Sequence, residues 1–159
     1  MTAAVLTVSD SCARGERKDV SGPVVAQALR AAKFEVVSQL VVADDHERIV
    51  TAIRDLCRRA RLVVTTGGTG LGPRDVTPEA TRAVCDRIVD GLAERMRSEG
   101  IRKTPYAALS RATCGTLAQS LVVNLPGNPA GAVESLQAII AVLPHALELL
   151  SGKTEHQRQ

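Results

Sequence analysis

The chain has 159 residues, of which 45% are hydrophobic and 23% charged, and this length fits one domain with a buried core. Its net charge is only +3 and its only aromatic residues are Phe34 and Tyr106, so nucleic acid is not an expected partner. The four cysteines are widely spaced with no C-x-x-C motif, and the three histidines share no ligand spacing, so neither a disulfide framework nor a zinc site is supported.

We predict a single domain over 1–152, followed by a polar tail over 153–159. No 18-residue apolar segment and no charged-then-apolar N-terminus is expected from the sequence. The sequence therefore predicts a cytoplasmic protein without a membrane partner.

The N-terminal residues predict a buried strand that runs into a polar loop. The strand covers Ala3 to Val8 and the loop covers Ser9 to Asp19. Ser9 and Asp10 then lie at the carboxyl edge of the strand, a usual place for a ligand. Turn formation explains a Ser-Asp-Ser sequence equally well, so both roles stay open.

A helix from Ser21 to about Ala32 and a strand from Glu35 to Val42 follow. Ala43-Asp44-Asp45-His46-Glu47 opens the next helix, whose apolar face is carried at helical spacing by Ile49, Ile53, Leu56 and Cys57. Asp44 is predicted to be the N-cap of this helix, because Asp is a strong capping residue. Asp44 also follows a strand, so a place in a ligand crevice is the alternative.

The most informative stretch is LVVTTGGTGLGPRDVTPEAT, from Leu62 to Thr81. A β-branched run, 62–66, predicts a buried strand, and four glycines in 67–72 predict a loop into which a ligand can approach closely. Thr77 is a candidate cap with Pro78 at the first helical position. Backbone N–H groups and a helix N-terminus favour a phosphate, while Asp75 favours the Mg²⁺ that accompanies phosphates. The stretch matches neither the P-loop nor the G-x-G-x-x-G pattern, and a plain glycine-rich turn is the alternative.

The C-terminal half predicts further helices and one more strand. Helices are expected from Pro78 to about Val89 and from Gly91 to Arg97, the second ended by Gly100, and a helical turn over Tyr106 to Arg111. Ser120 to Leu125 predicts a strand, and a rigid loop over Pro126, Gly127, Asn128 and Pro129 follows. The last helix covers about Ala130 to Leu150, with Pro144 as a break and Gly152 as its stop.

Strands that alternate with helices predict an α/β fold with a mostly parallel sheet between two helical layers. Ligands in such folds bind beyond the carboxyl ends of the strands. Three loops are expected to meet there: 9–19, 67–75 and 126–129.

Four segments together resemble the molybdopterin adenylyltransferase family, which includes the molybdenum-cofactor biosynthesis domain of gephyrin. They are TVSD at 7–10, TTGGTG-x-x-PRDVTPEAT at 65–81, TPYAALSR at 104–111 and VVNLPGNP at 122–129. The resemblance implies a three-layer αβα fold and a homotrimer or hexamer. It implies Mg²⁺-dependent transfer of AMP from ATP, the co-substrate, to molybdopterin, with release of pyrophosphate. The product would later pass to an enzyme that inserts molybdate.

By resemblance, Asp75 and Asp44 are the catalytic and metal-binding acids, with Asp45 as a competitor of Asp44. Nucleotide binding is implied for Ser9, Asp10, Gly67, Gly68, Thr69, Gly70, Pro126, Gly127 and Asn128. Ser110 and Arg111 are candidates for the molybdopterin side, since a guanidinium suits a phosphate, but Arg111 is almost as good a candidate for a structural ion pair. The alternative functions are a non-catalytic molybdopterin-binding or scaffold protein and, more distantly, a nucleotide-binding regulator.

Overall fold

The computed structural model describes residues 1–153; the predicted tail lies outside this range except for Lys153. Six strands form one sheet in the order β2-β1-β3-β6-β5-β4. The strands are β1 Thr2–Val8, β2 Glu35–Val42, β3 Leu62–Thr66, β4 Arg87–Ile88, β5 Cys114–Leu117 and β6 Ser120–Leu125. The helices are α1 Asp10–Ala13, α2 Ser21–Ala31, α3 His46–Cys57, α4 Thr77–Val84, α5 Asp90–Ile101, α6 Pro129–Ile139 and α7 Leu143–Leu150, with 3₁₀ turns at Pro105–Leu109 and Ile140–Val142.

Helices cover both faces of the sheet, as predicted. Side chains of β1 alternate between two separate clusters: Val5 packs with α2, α5, α6 and α7, whereas Leu6 packs with α3 and α4. Strand β3 is buried along its whole length, which is the position its β-branched run predicted. The predicted three-layer α/β fold is therefore confirmed.

The sheet is parallel from β2 to β6 and antiparallel at its other edge. Strand β5 pairs antiparallel with β6 and with β4. Both β4 and β5 were missed, because Arg87–Ile88 and Cys114–Leu117 are too short to show a period. Strand β2 is mostly exposed, since it forms the outer edge of the parallel half of the sheet.

Several predicted helix boundaries were wrong. Helix α4 ends at Val84 rather than near residue 89, because Cys85 has an extended backbone (φ −76°, ψ 138°) that leads into β4. Helix α5 continues through Gly100 to Ile101, since a glycine inside a helix weakens it without ending it. The polar loop after β1 contains the short helix α1.

The segment Pro129–Leu150 is long and apolar enough, by length and composition alone, to cross a membrane. The expectation that no such window occurs was therefore wrong. The segment consists of two helices joined by a 3₁₀ turn, and Pro144 lies in the first turn of α7, so the predicted break is present. Leu136, Ile139, Leu143 and Leu147 are buried in the core, which accounts for part of the apolar composition.

Candidate active site

A cleft of about 350 Å³ opens at the carboxyl ends of β1, β3 and β6. Residues of all three predicted loops line it, together with Asp44 from the turn after β2. Among the predicted site residues, the cleft is lined by Ser9, Asp44, Gly67, Gly68, Asp75, Gly127 and Asn128. Asp10, Thr69, Gly70, Pro126, Ser110 and Arg111 lie outside this lining.

The glycine loop passes very close to its neighbours at Gly67 and Gly68. Both residues have positive φ, +100° and +68°, a region that side chains other than glycine rarely adopt. A methyl group on Gly67 would overlap the Val8 carbonyl, and one on Gly68 would overlap the Thr77 hydroxyl. Gly127 is also close-packed, since its Cβ would lie 3.3 Å from the Gly67 Cα. The glycines at these positions therefore let the loops pack closely against one another.

The N–H groups of this loop do not all face a ligand. The Gly67 N–H donates to the Leu125 carbonyl at 3.2 Å, because it continues the parallel pairing of β3 with β6. Gly67 therefore permits close packing against Val8 and does not supply the inward N–H expected of it. Within residues 1–153, no protein acceptor receives the N–H groups of Gly68, Thr69 and Gly70. Of these three residues, Gly68 lines the cleft, so its N–H is the one available to an anion there.

Thr77 fastens the loop instead of capping α4. Its hydroxyl donates to the Gly67 carbonyl at 2.9 Å, and its N–H donates to the Gly68 carbonyl at 3.1 Å. The N-cap position belongs to Val76, whose side chain makes no capping bond. The loop is therefore closed onto the start of the helix that follows it.

Asp75 is half-buried and closes the far end of the loop. Its Oδ2 accepts the Gly72 N–H at 2.9 Å, and its own N–H donates to the Gly72 carbonyl at 3.0 Å. The same oxygen lies 3.0 Å from the position of a Cβ on Gly70. In the described part of the chain, Oδ1 of Asp75 accepts no hydrogen bond, so one carboxylate oxygen is available in the cleft.

Asp44 is tied to Asp10 and is not the helix cap. Oδ2 of Asp44 accepts the Asp10 N–H at 2.9 Å, and the Asp44 N–H donates to Oδ1 of Asp10 at 3.0 Å. The N-cap of α3 is Asp45, whose Oδ1 accepts the Arg48 N–H at 2.9 Å. The predicted cap at Asp44 was therefore wrong by one residue. Asp45 caps the helix, and Asp44 is the acid of this pair that lines the cleft.

Charges around these acids are compensated unequally. Arg74 forms a two-pronged ion pair with Asp10, with both N–O distances 3.0 Å, and this hydrogen bonding lowers the pKa of the Asp10 carboxyl. Burial raises the pKa of Asp44, and the negative charges of Asp10 and Asp75 add to the rise while the Asp10 N–H and Arg74 oppose it. Among the residues described, Asp44 thus has no cation paired directly with it.

This pair of acids fits Mg²⁺. Each of Asp44 and Asp75 uses one carboxylate oxygen to hold the backbone and has one left over. No cluster of three or more His, Cys, Asp or Glu that suits a metal occurs among the residues described. Mg²⁺ keeps several waters and takes one or two carboxylates together with substrate phosphates, so two acids that line one cleft are a suitable donor set.

Ser9 and Asn128 line the cleft and also cap helices. Ser9 Oγ accepts the Cys12 N–H at 3.3 Å at the start of α1, so the turn chemistry considered for Ser9 is present. Asn128 Oδ1 accepts the Gly131 N–H at 3.0 Å at the start of α6. The Pro126 carbonyl accepts the Thr66 hydroxyl at 2.7 Å, which joins the ends of β3 and β6. Ligand contacts of these residues remain predictions.

Arg111 braces the glycine loop through hydrogen bonds to two of its backbone carbonyl groups. Its guanidinium donates to the Gly70 carbonyl at 2.8 Å and the Asp75 carbonyl at 2.7 Å, and it pairs with Glu79. These contacts are those of the structural ion-pair partner considered from sequence. Ser110 lines a small neighbouring pocket of about 40 Å³ that Pro126 also lines. Contact of either Ser110 or Arg111 with molybdopterin remains a prediction.

Sequence reasoning missed several residues that line the cleft. They are Thr7, Cys12, Arg17, Lys18, Asp19 and Thr66. Most of them belong to the loop after β1, which was predicted as a ligand loop, but no spacing within it indicates which side chains face the cleft.

Fold and cleft together define an open α/β protein with an acid-lined cleft at the carboxyl ends of its parallel strands. Residues 4–145 match the protein family described as a probable molybdopterin binding domain. This chain belongs to that family, and the resemblance found in the sequence is confirmed.

Named relatives cover nearly the whole chain. The molybdopterin adenylyltransferase of Helicobacter pylori J99 is 36% identical over 152 residues, 93% of this chain and 86% of that protein. The molybdenum cofactor synthesis protein cinnamon of Drosophila melanogaster is 41% identical over 154 residues, 94% of this chain but 26% of cinnamon. This chain therefore spans about a quarter of cinnamon.

A crystal structure of the molybdopterin biosynthesis enzyme MoaB from Thermus thermophilus has the same fold. Its TM-score is 0.90 at 49% identity, with 96% of this chain and 97% of that chain covered. Adenylyltransferases are nucleotidyltransferases, so the expectation that the chain belongs among such enzymes agrees with its relatives.

Proposed function

We propose that this protein transfers AMP from Mg-ATP to molybdopterin and releases pyrophosphate. The observation that carries the proposal is the pair of acids, Asp44 and Asp75, which line one cleft and each have a carboxylate oxygen without a protein donor among residues 1–153. The relatives named molybdopterin adenylyltransferase support the same reaction.

The chemistry is a displacement at phosphorus. A terminal phosphate oxygen of molybdopterin attacks the α-phosphorus of ATP and forms a new P–O bond. The bond from the α-phosphorus to the bridging oxygen breaks, and its electrons leave with pyrophosphate. Two anions must meet, so alignment and charge neutralisation supply most of the rate.

Different residues of this chain would bind the phosphates and the metal ion in this reaction. The Gly68 N–H would bind a phosphate oxygen in the cleft. Thr69 and Gly70 lie outside the cleft lining, so their part in nucleotide binding is proposed from the family resemblance alone. Asp44 and Asp75 would hold Mg²⁺, which supplies charge neutralisation at the phosphates when bound.

Product analysis tests the reaction. Purified protein, molybdopterin and Mg-ATP should yield one pyrophosphate for each adenylylated molybdopterin. Binding of molybdopterin without any pyrophosphate release would favour the non-catalytic alternative.

Nucleotide binding is measured separately through Cys12, which lines the cleft and is partly exposed. Burial raises the pKa of Cys57 to about 11 and of Cys85 and Cys114 to about 12, so these thiols carry little thiolate near pH 8. Alkylation should therefore modify Cys12 first, and Mg-ATP should slow it. Equal alkylation rates with and without Mg-ATP would argue against nucleotide in this cleft.

The homotrimer or hexamer, the cytoplasmic location and the hand-over of product to a molybdate-inserting enzyme remain part of this proposal. Sedimentation of the purified protein measures the first of them directly.

A further inference from the structure

The two sides of the cleft carry opposite charges. Asp44 and Asp75 stand on segments that enter α3 and α4, the helices that cover one face of the sheet. Arg17 and Lys18 line the same cleft from the segment that enters α2, which covers the other face. A ligand in the cleft would therefore lie between an acidic and a basic wall.

Arg17 and Lys18 are not committed to a protein partner. Among residues 1–153, neither side chain makes a hydrogen bond or lies within 4 Å of a carboxylate, and both are exposed. The neighbouring arginines differ, because Arg14 pairs with Glu16 at 3.0 Å and Arg74 pairs with Asp10. Two free cations beside a polar cleft are available to an anionic ligand.

The backbone that carries them is held at both ends. On one side, the N–H groups of Glu16 and Arg17 donate to the Ser11 carbonyl at 3.0 and 3.3 Å. On the other, Asp19 accepts the Thr7 hydroxyl at 2.8 Å and the Gly22 N–H at 3.0 Å. Arg17 and Lys18 thus lie on a loop that is held by hydrogen bonds at both ends. The neighbouring acid, Asp19, accepts hydrogen bonds from Thr7 and from the start of α2.

We propose that Arg17 and Lys18 bind the phosphate oxygens of the nucleotide on the side opposite Asp44 and Asp75, and so make the cleft select nucleoside triphosphates over monophosphates. This inference rests on the proposed function. Its physical basis is that a triphosphate carries more negative charge than one metal ion neutralises. The remaining negative charge would be neutralised by Arg17 and Lys18, the cations on the cleft lining that have no carboxylate partner among residues 1–153.

The test compares AMP, ADP, ATP and pyrophosphate by calorimetric titration at fixed Mg²⁺. The variant is the double substitution Arg17→Gln and Lys18→Gln. Exposed charge pairs contribute roughly two- to fivefold each, so ATP and pyrophosphate should bind about tenfold more weakly. AMP should lose less than about threefold, and the salt dependence of ATP binding should become shallower.

Two control variants separate charge from structure. Arg14→Gln removes a cation from the same loop outside the cleft and should leave every affinity unchanged. The charge-preserving pair Arg17→Lys and Lys18→Arg should retain most of the ATP affinity, because a cation of either kind attracts phosphate.

Equal losses of AMP and ATP affinity in the double variant, or no loss at all, would overturn this assignment while leaving adenylyl transfer intact. A loss of molybdopterin affinity with unchanged ATP affinity would overturn it too, since the cations would then serve the pterin phosphate. If the unmodified protein bound no Mg-ATP, the proposed function itself would fail.

Discussion

Asp44→Asn should make the protein more stable while it stops the reaction. Burial and the negative charges of Asp10 and Asp75 raise the pKa of Asp44 in the folded protein. A group with a raised folded pKa contributes stability below its unfolded pKa, near about pH 4, and that contribution is lost as the pH rises through the folded pKa. At neutral pH the ionised carboxylate is therefore a cost.

The magnitude follows from the same geometry. Interactions of charges that water can screen are worth at most about 1 kcal/mol, so neutralising this half-buried carboxylate should stabilise the protein by no more than about that amount. For a chain of this length such a gain raises Tm by at most about 4 °C. The amide oxygen of asparagine can still accept the Asp10 N–H, so the tie between the two loops is kept.

Turnover should fall in Asp44→Asn, although the stability rises. One charge beside another at about 4 Å is worth about 4 kcal/mol at an effective dielectric constant of about 20, and exposure of the cleft reduces this. We expect pyrophosphate release to fall by about a hundredfold or more. Scanning calorimetry at about pH 7.5 and a pyrophosphate assay measure the two effects.

Asp45→Asn is the matched control. Asn caps helices as well as Asp does, and Asp45 does not line the cleft, so Tm should change by less than about 1 °C and turnover by less than about twofold. Lost activity in Asp45→Asn with full activity in Asp44→Asn would refute the assignment of the cleft acid. A lower Tm in Asp44→Asn would refute the electrostatic argument.

Three further substitutions test the scaffold around the cleft. Gly67→Ala places a methyl group at φ +100° and should lower the free energy of unfolding in urea by about 2 kcal/mol or more. Gly91→Ala, whose methyl group meets open space, is the control and should not lower it. Equal effects of the two substitutions would contradict the strain argument. Arg111→Lys keeps the charge but loses the paired donors to two loop carbonyls, so hydrogen exchange at Gly72 and Asp75, whose N–H groups are hydrogen-bonded within the loop, should become faster. Mg-ATP affinity should fall about fivefold. Unchanged exchange at these two residues would contradict the bracing role. Asn124→Leu leaves the buried Thr113 N–H without its acceptor and should cost about 2–4 kcal/mol in the same unfolding assay, and a loss below about 0.5 kcal/mol would contradict this.

The sequence determines the parallel half of the sheet because that half is built from long apolar strands. Thr2–Val8, Leu62–Thr66 and Ser120–Leu125 are buried nearly throughout, so their composition alone reveals them. The antiparallel edge is different, since Arg87–Ile88 has two residues and its pairing with Cys114–Leu117 is a tertiary contact. No local period could reveal that contact.

The position of the site follows from topology, but its contacts do not. Loops at the carboxyl ends of parallel strands must meet, and that brings Asp44, Gly68 and Asp75 to one cleft. Which of two adjacent aspartates caps α3 depends on the local backbone angles, and the sequence indicated the wrong one. The direction of Arg17 and Lys18 depends on how the loop is anchored at Asp19. Such anchoring produces no periodic pattern in the sequence from which it could be predicted.

Asp75→Asn tests the central claim most directly, with pyrophosphate release from molybdopterin and Mg-ATP as the measurement. Asparagine keeps an acceptor for the Gly72 N–H, so circular dichroism and Tm should stay close to those of the unmodified protein. We predict that turnover falls by about a hundredfold to a thousandfold, because one of the two acids that would hold Mg²⁺ is neutralised. Undiminished turnover in a folded Asp75→Asn protein would contradict a metal-bound nucleotide held between the glycine loop and these acids.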